Sequence, residues 1–373
     1  MQSRYPSGNA LAGLALAFAL SLTPVGSAAA QAGNSADAVG VEFPSTNRPD
    51  VRGVHGAVSS DHPLATAAGL TVLRNGGNAL DAVVTMAGVL AVVRPHMNGV
   101  GGDAFGIFFD GATGEVVGMN GSGRAGALAT PSFFEQAGRQ SIPGSGPLSV
   151  SIPGAVAAWD DALTRFGTIS LAEALAPAIG YARDGFPVSS RLASDIAGAS
   201  RGLNAPALGL YLPGGSPPPV GSLLKNPALA ATLERIAKEG KGGFYRGEPA
   251  EAISSFLERE GGYLRMEDFA AHETTWTAPV EGTYLEHRIL VLPPNTQGIA
   301  QISLMEMAAE HDLAAMGHNT ADYLHTLIEL KKLAFADRDR WVADPEFADI
   351  PLDRLLDESY LRRRAGKVGA IAA

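Results

Sequence analysis

Helical and strand patterns alternate along most of the chain, and the clearest helices lie before residue 94. Residues 63–75 have helical spacing, follow Ser60 and Asp61, either of which can cap a helix, and stop at Gly76. The next segment, ALDAVVTMAGVLAVV over Ala79–Val93, is apolar on every side. A helix without a polar face has to be surrounded by other elements, so we expect it to lie buried between layers.

A β-hairpin is predicted immediately after these helices. AFGIFFD and EVVGMN alternate apolar and other residues on either side of the turn GATG, which is typical of two antiparallel strands. Glycines flank the hairpin on both sides, and a single cation, Arg124, follows it. Buried helices beside antiparallel strands predict an α+β fold in which each element hides one face.

The remaining two thirds of the chain also alternates helical and strand patterns, and no internal repeat is found. Ser170 and Glu173 form a capping box for a helix, and residues 248–260 and 299–310 have helical spacing. Thr320 begins a long amphipathic helix, and APVEGTYLEHRILVLPP supplies strands. Residues 201–226 hold so much glycine and proline that we expect a long surface loop. No linker divides the chain, so we expect one domain from residue 53.

The first thirty residues have the pattern of a secretory signal peptide. A single charge, Arg4, precedes an apolar run over residues 10–22, and Ala28-x-Ala30 is typical of a cleavage site before Gln31. The apolar run is shorter than the about 20 residues of a membrane span, although an uncleaved anchor is the alternative. We therefore expect a periplasmic or secreted protein with no membrane attachment after cleavage, and a flexible tail over residues 31–52.

The composition of the chain excludes several classes of partner and nucleophile. Hydrophobic residues make up 46% of the chain, enough for a packed core, and the net charge of −10 at pH 7 argues against a nucleic-acid partner. Cysteine is absent, so a nucleophile has to be an oxygen or a nitrogen. The glycines at 99–102 precede a strand instead of opening a helix, which argues against dinucleotide binding. His325 and Glu329 lie one helical turn apart but lack a third ligand nearby, so we expect no metal and no cofactor.

Six motifs occur in one order along the chain: HPLATAAGLTVLRNGGNALDAVV, PHMNGVGGDAFGIFF, SVSIPGAVAAWDDALTRFGTISLAEALAPAIGYARDGFPVS, GGFYRG, VLPPNTQG, and AFADRDRW followed by ADPEF. In this order they resemble the γ-glutamyltransferase (γ-glutamyltranspeptidase) family of N-terminal-nucleophile hydrolases. The resemblance spans almost everything after residue 53.

The resemblance implies an αββα four-layer sandwich made from a precursor that cuts itself into a large and a small subunit. A threonine at the new N-terminus of the small subunit is the family's nucleophile, and its own α-amino group can serve as the base. The resemblance implies that residues 53–373 correspond to the large subunit, since the family's Thr-Thr-His-type segment follows the part that resembles ADPEF and is not found up to Ala373. The catalytic residue is therefore expected on the small subunit, the heterodimer partner, and not in this chain.

The substrate site is implied by the segment after the hairpin, where the family's transferases carry an arginine that grips the α-carboxylate of the γ-glutamyl group. Here that segment reads MNGSGRA over residues 119–125, with Ser122 in the arginine's place and Arg124 two residues later. The resemblance thus implies Asn120, Ser122 and Arg124 as substrate-binding residues, with Arg124 offering a forked cation to a carboxylate. A surface arginine without a ligand is the alternative.

The Asn-Gly-Ser-Gly-Arg segment also indicates which reaction to expect. Family members with Asn-Gly-Ser-Gly-Arg resemble a branch that includes amidohydrolases of small acidic amides and cephalosporin acylases as well as γ-glutamyl enzymes. We expect an exported, self-processing threonine amidohydrolase that cleaves γ-glutamyl or related small acidic amides, with transfer to amino acids or peptides as a second outcome. The alternatives are a cephalosporin or glutaryl acylase, a homologue without activity, and a periplasmic solute binder. Solute binders usually have two similar lobes, and this chain shows no duplication.

Overall fold

The computed structural model of the chain describes residues 51–372. The predicted signal peptide and residues 31–50 of the predicted tail lie outside this range. The helices are α1 (Pro63–Arg74), α2 (Ala79–Val93), α3 (Pro131–Gln136), α4 (Ala155–Phe166), α5 (Leu171–Asp184), α6 (Ser190–Ala199), α7 (Ala205–Tyr211), α8 (Pro227–Glu239), α9 (Lys241–Tyr245), α10 (Glu248–Arg259), α11 (Met266–Ala270), α12 (Gly298–Ala309), α13 (Leu313–Met316), α14 (Ala321–Trp341), α15 (Leu352–Leu355) and α16 (Glu358–Ala365). Short 3₁₀ helices cover Ser200–Gly202 and Pro213–Gly215.

The strands of the described range form small antiparallel sheets. They are β1 (Ala104–Phe109), β2 (Val116–Gly121), β3 (Phe186–Pro187), β4 (Leu223–Leu224), β5 (Thr275–Thr277), β6 (Val280–Tyr284) and β7 (His287–Val291). One sheet has the order β1-β2-β5, and β3 pairs with β4 and β6 with β7. The predicted hairpin is confirmed, with Ala104 opposite Gly121 and Phe109 opposite Val116. The α+β content is confirmed with it.

Helix α2 lies at the centre of the larger hydrophobic core. It packs against α1, α4 and α5, and α5 packs in turn against α8. Most of its residues are buried, as its apolar sequence predicts, but Val83 is half exposed. A second, smaller core joins α12, α14 and α16 through Met307, Leu330 and Leu361.

A buried carboxylate fixes the start of α2. Asp81 is fully buried, accepts hydrogen bonds from the Asn78 and Thr168 backbone nitrogens at 2.8 Å each, and accepts another from the Thr168 hydroxyl at 2.5 Å. Burial alone would raise the pKa of Asp81, but these hydrogen bonds to the charged form outweigh it and hold the pKa below its usual value. The Asp81 carboxylate therefore ties α2 to the segment that leads into α5.

The capping predictions succeed in part. The Ser170–Glu173 capping box and the Thr320 cap are both present. For α1, however, the cap is His62, whose Nδ1 accepts from the Leu64 nitrogen at 3.2 Å. The two predicted caps are wrong because their side chains bond elsewhere. Ser60 donates to the His62 carbonyl, and Asp61 pairs with Arg94 at 2.6 Å.

The prediction of a long loop over residues 201–226 is also wrong. The segment contains α7 and β4. Asn204 caps α7 by accepting from the Ala207 nitrogen at 3.1 Å, and a proline lies in the first turn, where its missing N–H costs nothing. Leu223–Leu224 pairs antiparallel with Phe186–Pro187. Apart from Pro206 and Gly209 in α7, the glycines and prolines of this segment lie outside these two elements.

The chain passes unusually close to itself where the hairpin ends. A Cβ added at Gly123 would lie 1.7 Å from the Ile152 carbonyl oxygen, and one at Gly154 would lie 2.0 Å from the Gly121 carbonyl oxygen. Residues 121–123 therefore lie directly against the segment that enters α4, which only glycine permits. Across the contact, the Ile152 nitrogen donates to the Arg124 carbonyl at 3.0 Å.

The burial of α2 generates a stability prediction with a neighbouring control. Val84 is 2% exposed and Val83 is 50% exposed. Val84→Asp would place an unpaired carboxylate in the core and should lower the free energy of unfolding by about 3 kcal/mol or more. Val83→Asp should cost less than about 1 kcal/mol. Urea unfolding followed by circular dichroism measures both, and equal stability of the two variants would contradict the position of α2.

The close passage generates a second prediction. Gly123→Ala has no room for its Cβ and should lower the free energy of unfolding by about 1–3 kcal/mol through displacement of the 151–154 segment. Gly101→Ala is the matched control, because no atom lies within 4 Å of its Cβ position and it should cost about 0.5 kcal/mol or less. Thermal unfolding measures the loss of stability in each variant. A Gly123→Ala protein as stable as Gly101→Ala would refute the contact.

Candidate functional site

The open edge of β1 borders an apolar cleft of about 700 Å³. The cleft lies between β1, α2 and α4, and its lining includes the exposed Val83, Phe105, Ile107 and Phe109. Within the described residues β1 pairs with β2 alone, so its other edge carries unpaired backbone N–H and C=O groups. An apolar cleft beside an unpaired strand edge is a surface suited to a further strand.

Arg124 lies just beyond the end of the hairpin, with its backbone held on both sides. The Gly123 nitrogen donates to Asp103 Oδ1 at 3.0 Å, and the Arg124 carbonyl accepts from Ile152. Asp103 was not predicted as a site residue. In the sequence, Asp103 is marked only by its place directly after the glycines at 101 and 102. In the structure, the Gly102 carbonyl accepts from the Gly154 and Ala155 nitrogens at the start of α4, which brings Asp103 close to that helix.

The Arg124 side chain is paired with a carboxylate of this same chain. Nη1 donates to Glu346 Oε2 at 2.8 Å and Nη2 donates to Glu346 Oε1 at 2.5 Å. This contact raises the pKa of Arg124 and lowers the pKa of Glu346, because each charge stabilises the other. The two side chains remain about half exposed, at 47% and 55%. The guanidinium is thus accessible from solvent and geometrically able to hold a carboxylate.

The other two predicted residues have different positions. The Asn120 side chain donates to Asn295 Oδ1 at 2.7 Å and accepts from the Ser122 nitrogen at 3.0 Å, so its amide joins the end of β2 to the loop before α12. Ser122 is partly buried in the turn that Asn120 stabilises. All three residues therefore lie at the end of the hairpin. The Asn120 amide is hydrogen-bonded to protein groups, and Arg124 carries the positive charge of the segment.

His272 lies near this segment and was not predicted. It is buried, stacks on Tyr245 with ring centroids 5.2 Å apart, and neither ring nitrogen has a hydrogen-bond partner among the described residues. Burial, followed by the positive charge of Arg124, lowers the pKa of His272. The Tyr245 hydroxyl donates to the Pro153 carbonyl at 2.6 Å, and burial raises its pKa. This pair supports the segment against which Gly123 lies.

Residues 51–372 were searched for metal-binding clusters and for membrane-spanning helices. In this range no group of three or more His, Asp or Glu side chains is arranged to hold a metal ion. His325 Nε2 lies 2.7 Å from the Gly369 carbonyl, and Glu329 pairs with Lys332 at 2.7 Å, so these two side chains have separate contacts. No helix in the described part of the chain has both the length and the apolar character to cross a membrane.

Comparison with known proteins shows the family of the chain. The gamma-glutamyltranspeptidase model matches residues 65–373. The chain is 38% identical to the glutathione hydrolase-like YwrD proenzyme of Bacillus subtilis, over 86% of this chain and 62% of that protein. It is 35% identical to the acylase ACY 1 proenzyme of Pseudomonas sp. (strain SE83), over 84% of this chain and 58% of that protein. The chain thus spans about three fifths of the length of these relatives.

A solved structure agrees with the sequence comparison. The γ-glutamyltranspeptidase of Helicobacter pylori superposes with a TM-score of 0.81 at 30% identity, covering 86% of this chain and 94% of the chain compared. The fold, the ordered motifs and the family match extend over the same residues. The chain therefore belongs to the gamma-glutamyltranspeptidase family of N-terminal-nucleophile hydrolases and corresponds to its large-subunit portion.

Proposed function

We propose that this chain is the large subunit of an exported, self-processing amidohydrolase that cleaves γ-glutamyl or related small acidic amides. The observation that carries the proposal is the Arg124 guanidinium, held by its backbone at the end of the hairpin and half exposed to solvent. A fixed, accessible guanidinium binds a carboxylate through two parallel hydrogen bonds. In a family of amide-cleaving enzymes, that cation supports an acyl group with an acidic end.

The reaction follows from the family's nucleophile. The nucleophilic threonine lies on the small subunit, which is the second segment of the precursor. Its hydroxyl oxygen attacks the amide carbonyl carbon, while the hydroxyl proton passes to the α-amine of the same threonine. The proton then goes to the leaving nitrogen, the C–N bond breaks, and an acyl-threonine ester remains. Water attacks the ester, releases the acid and restores the hydroxyl. Arg124 fixes the far end of the acyl group, so that the scissile carbonyl is presented in a constant position.

The second segment has a suitable surface on this chain. Phe105, Ile107 and Phe109 lie on one face of β1 and line the apolar cleft, where Val83 is also exposed. A strand paired with β1 would satisfy its backbone and cover these side chains. The relatives are proenzymes that are longer than this chain, which supports the four-layer αββα sandwich completed by a small subunit from the same precursor.

The relatives' names support amide hydrolysis but divide over the acyl group. The more similar relative described above is named as glutathione hydrolase-like, and the other as an acylase. A glutaryl-type acylase is accordingly the second candidate, because glutaryl and γ-glutamyl groups both present a carboxylate to Arg124. Export is proposed from the signal-peptide pattern of residues 1–30.

The Arg124 assignment predicts a selective kinetic defect. In the enzyme assembled with its second segment, Arg124→Ala should lower kcat/KM on γ-glutamyl p-nitroanilide roughly 10- to 150-fold, since a charge-assisted hydrogen bond is worth about 1.5–3 kcal/mol. Self-cleavage should be unchanged, because the precursor cuts its own backbone. Arg139→Ala, another exposed arginine, is the control and should leave both steps unchanged. Wild-type kcat/KM for Arg124→Ala on γ-glutamyl and glutaryl anilides would refute the assignment.

The position of the nucleophile predicts a dependence on the second segment. Residues 31–373 expressed alone should not hydrolyse γ-glutamyl p-nitroanilide, whereas co-expression with the rest of the precursor should restore hydrolysis. The absorbance of released p-nitroaniline at neutral pH is a suitable readout. Turnover by the isolated chain at the rate of the assembled enzyme would place the nucleophile in this chain.

A further inference from the structure

The fork of Arg124 is already filled by a carboxylate from the far end of the chain. Glu346 lies 222 residues away in sequence, and each of its carboxylate oxygens accepts from a different terminal nitrogen of Arg124. This is the end-on, bidentate geometry in which arginine binds carboxylates. A substrate carboxylate that approaches the same fork meets two donors that are already in use.

Both partners of this pair are set by local structure. The Arg124 carbonyl accepts from Ile152, which fixes the arginine's backbone beside α4. On the other side, Asp344 accepts from the Glu346 nitrogen at 2.9 Å, and the Asp344 carbonyl accepts from the Phe347 and Ala348 nitrogens at 3.0 Å each. The turn that follows α14 therefore presents Glu346 to Arg124 as a built feature of the fold.

The charges around Arg124 oppose a second carboxylate. Glu346 neutralises the guanidinium, and the charge of Asp344 also acts on it. A carboxylate that joins this group without displacing Glu346 would add a negative charge beside two others, which Coulomb repulsion disfavours. Since Arg124 and Glu346 are about half exposed, Glu346 can leave to solvent when another carboxylate arrives.

We propose that Glu346 is a specificity-determining residue that competes with the substrate carboxylate for Arg124. This inference rests on the proposed function, because it requires Arg124 to bind the acyl group. Glu346 would raise KM for every substrate that binds through a carboxylate, so that only acyl groups with further contacts in the pocket displace it efficiently. Weakly held acidic compounds would be excluded by the same competition.

The size of the effect follows from the exposure of the pair. Exposed ion pairs are weak, so removing the charge of Glu346 should change substrate affinity by about two- to fivefold. Glu346→Gln is the suitable change, because it keeps the length of the side chain and a carbonyl oxygen that can still accept. Asp349→Asn is the matched control, since Asp349 is an exposed acid on the same segment with no ion pair to Arg124 among the described residues.

The test is steady-state kinetics of the assembled enzyme on γ-glutamyl p-nitroanilide, together with the inhibition constant of glutarate. Glu346→Gln should lower both KM and the inhibition constant by about two- to fivefold, with the gain in KM and not in kcat. Asp349→Asn should lower neither. In an Arg124→Ala background, Glu346→Gln should have no further effect, because the competed fork is gone.

The outcomes separate this inference from the proposed function. If Arg124→Ala loses activity as expected but Glu346→Gln leaves KM unchanged, the competition is refuted and the substrate role of Arg124 stands. A higher KM for Glu346→Gln would also refute it, and would show that Glu346 holds Arg124 in position or contacts the substrate itself. If Arg124→Ala behaves as wild type, the proposed function fails at this residue, whatever Glu346→Gln does.

Discussion

The site depends on one steric constraint, the close passage of two backbone segments at the end of the hairpin. Residues 121–123 lie so near residues 152–154 that Gly123 and Gly154 have no room for a side chain. The passage places the Arg124 carbonyl within hydrogen-bond distance of Ile152 and the Gly102 carbonyl at the first turn of α4. Without it, Arg124 would lie on a free loop with no fixed direction. The glycines around the hairpin thus give the arginine a defined position.

The rest of the fold supports this contact from both sides. Helix α2 and its buried Asp81 join α1 to the segment before α5, and α4 packs against α2 and against both strands of the hairpin. The inner faces are therefore closed by hydrophobic packing. The outer edge of β1 is different, because its aromatic side chains and its backbone groups face a cleft. A large subunit that needs a second segment for catalysis would be expected to keep such an edge unpaired.

Sequence predicts the local features of this chain well and the distant contacts poorly. The apolar run of α2, the alternating hairpin and the Ser170–Glu173 capping box each depend on neighbours within a few residues, and all three are confirmed. The prediction of Asp61 as the α1 cap is wrong because the Asp61 carboxylate pairs with Arg94, which lies outside its own turn. Arg124 and Glu346 are 222 residues apart in sequence, so no local pattern predicts their pairing. The contact of Asn120 with Asn295 is also distant in sequence, so no local pattern predicts it either.

Whether Arg124 receives the carboxylate of an acidic acyl group can be seen in a crystal structure of the assembled enzyme with L-glutamate. Glutamate is the acid that hydrolysis of a γ-glutamyl amide releases. We expect the α-carboxylate of glutamate within about 3 Å of the Arg124 terminal nitrogens, with Glu346 displaced from the guanidinium. Glutamate bound elsewhere, with the Arg124–Glu346 pair intact, would contradict it.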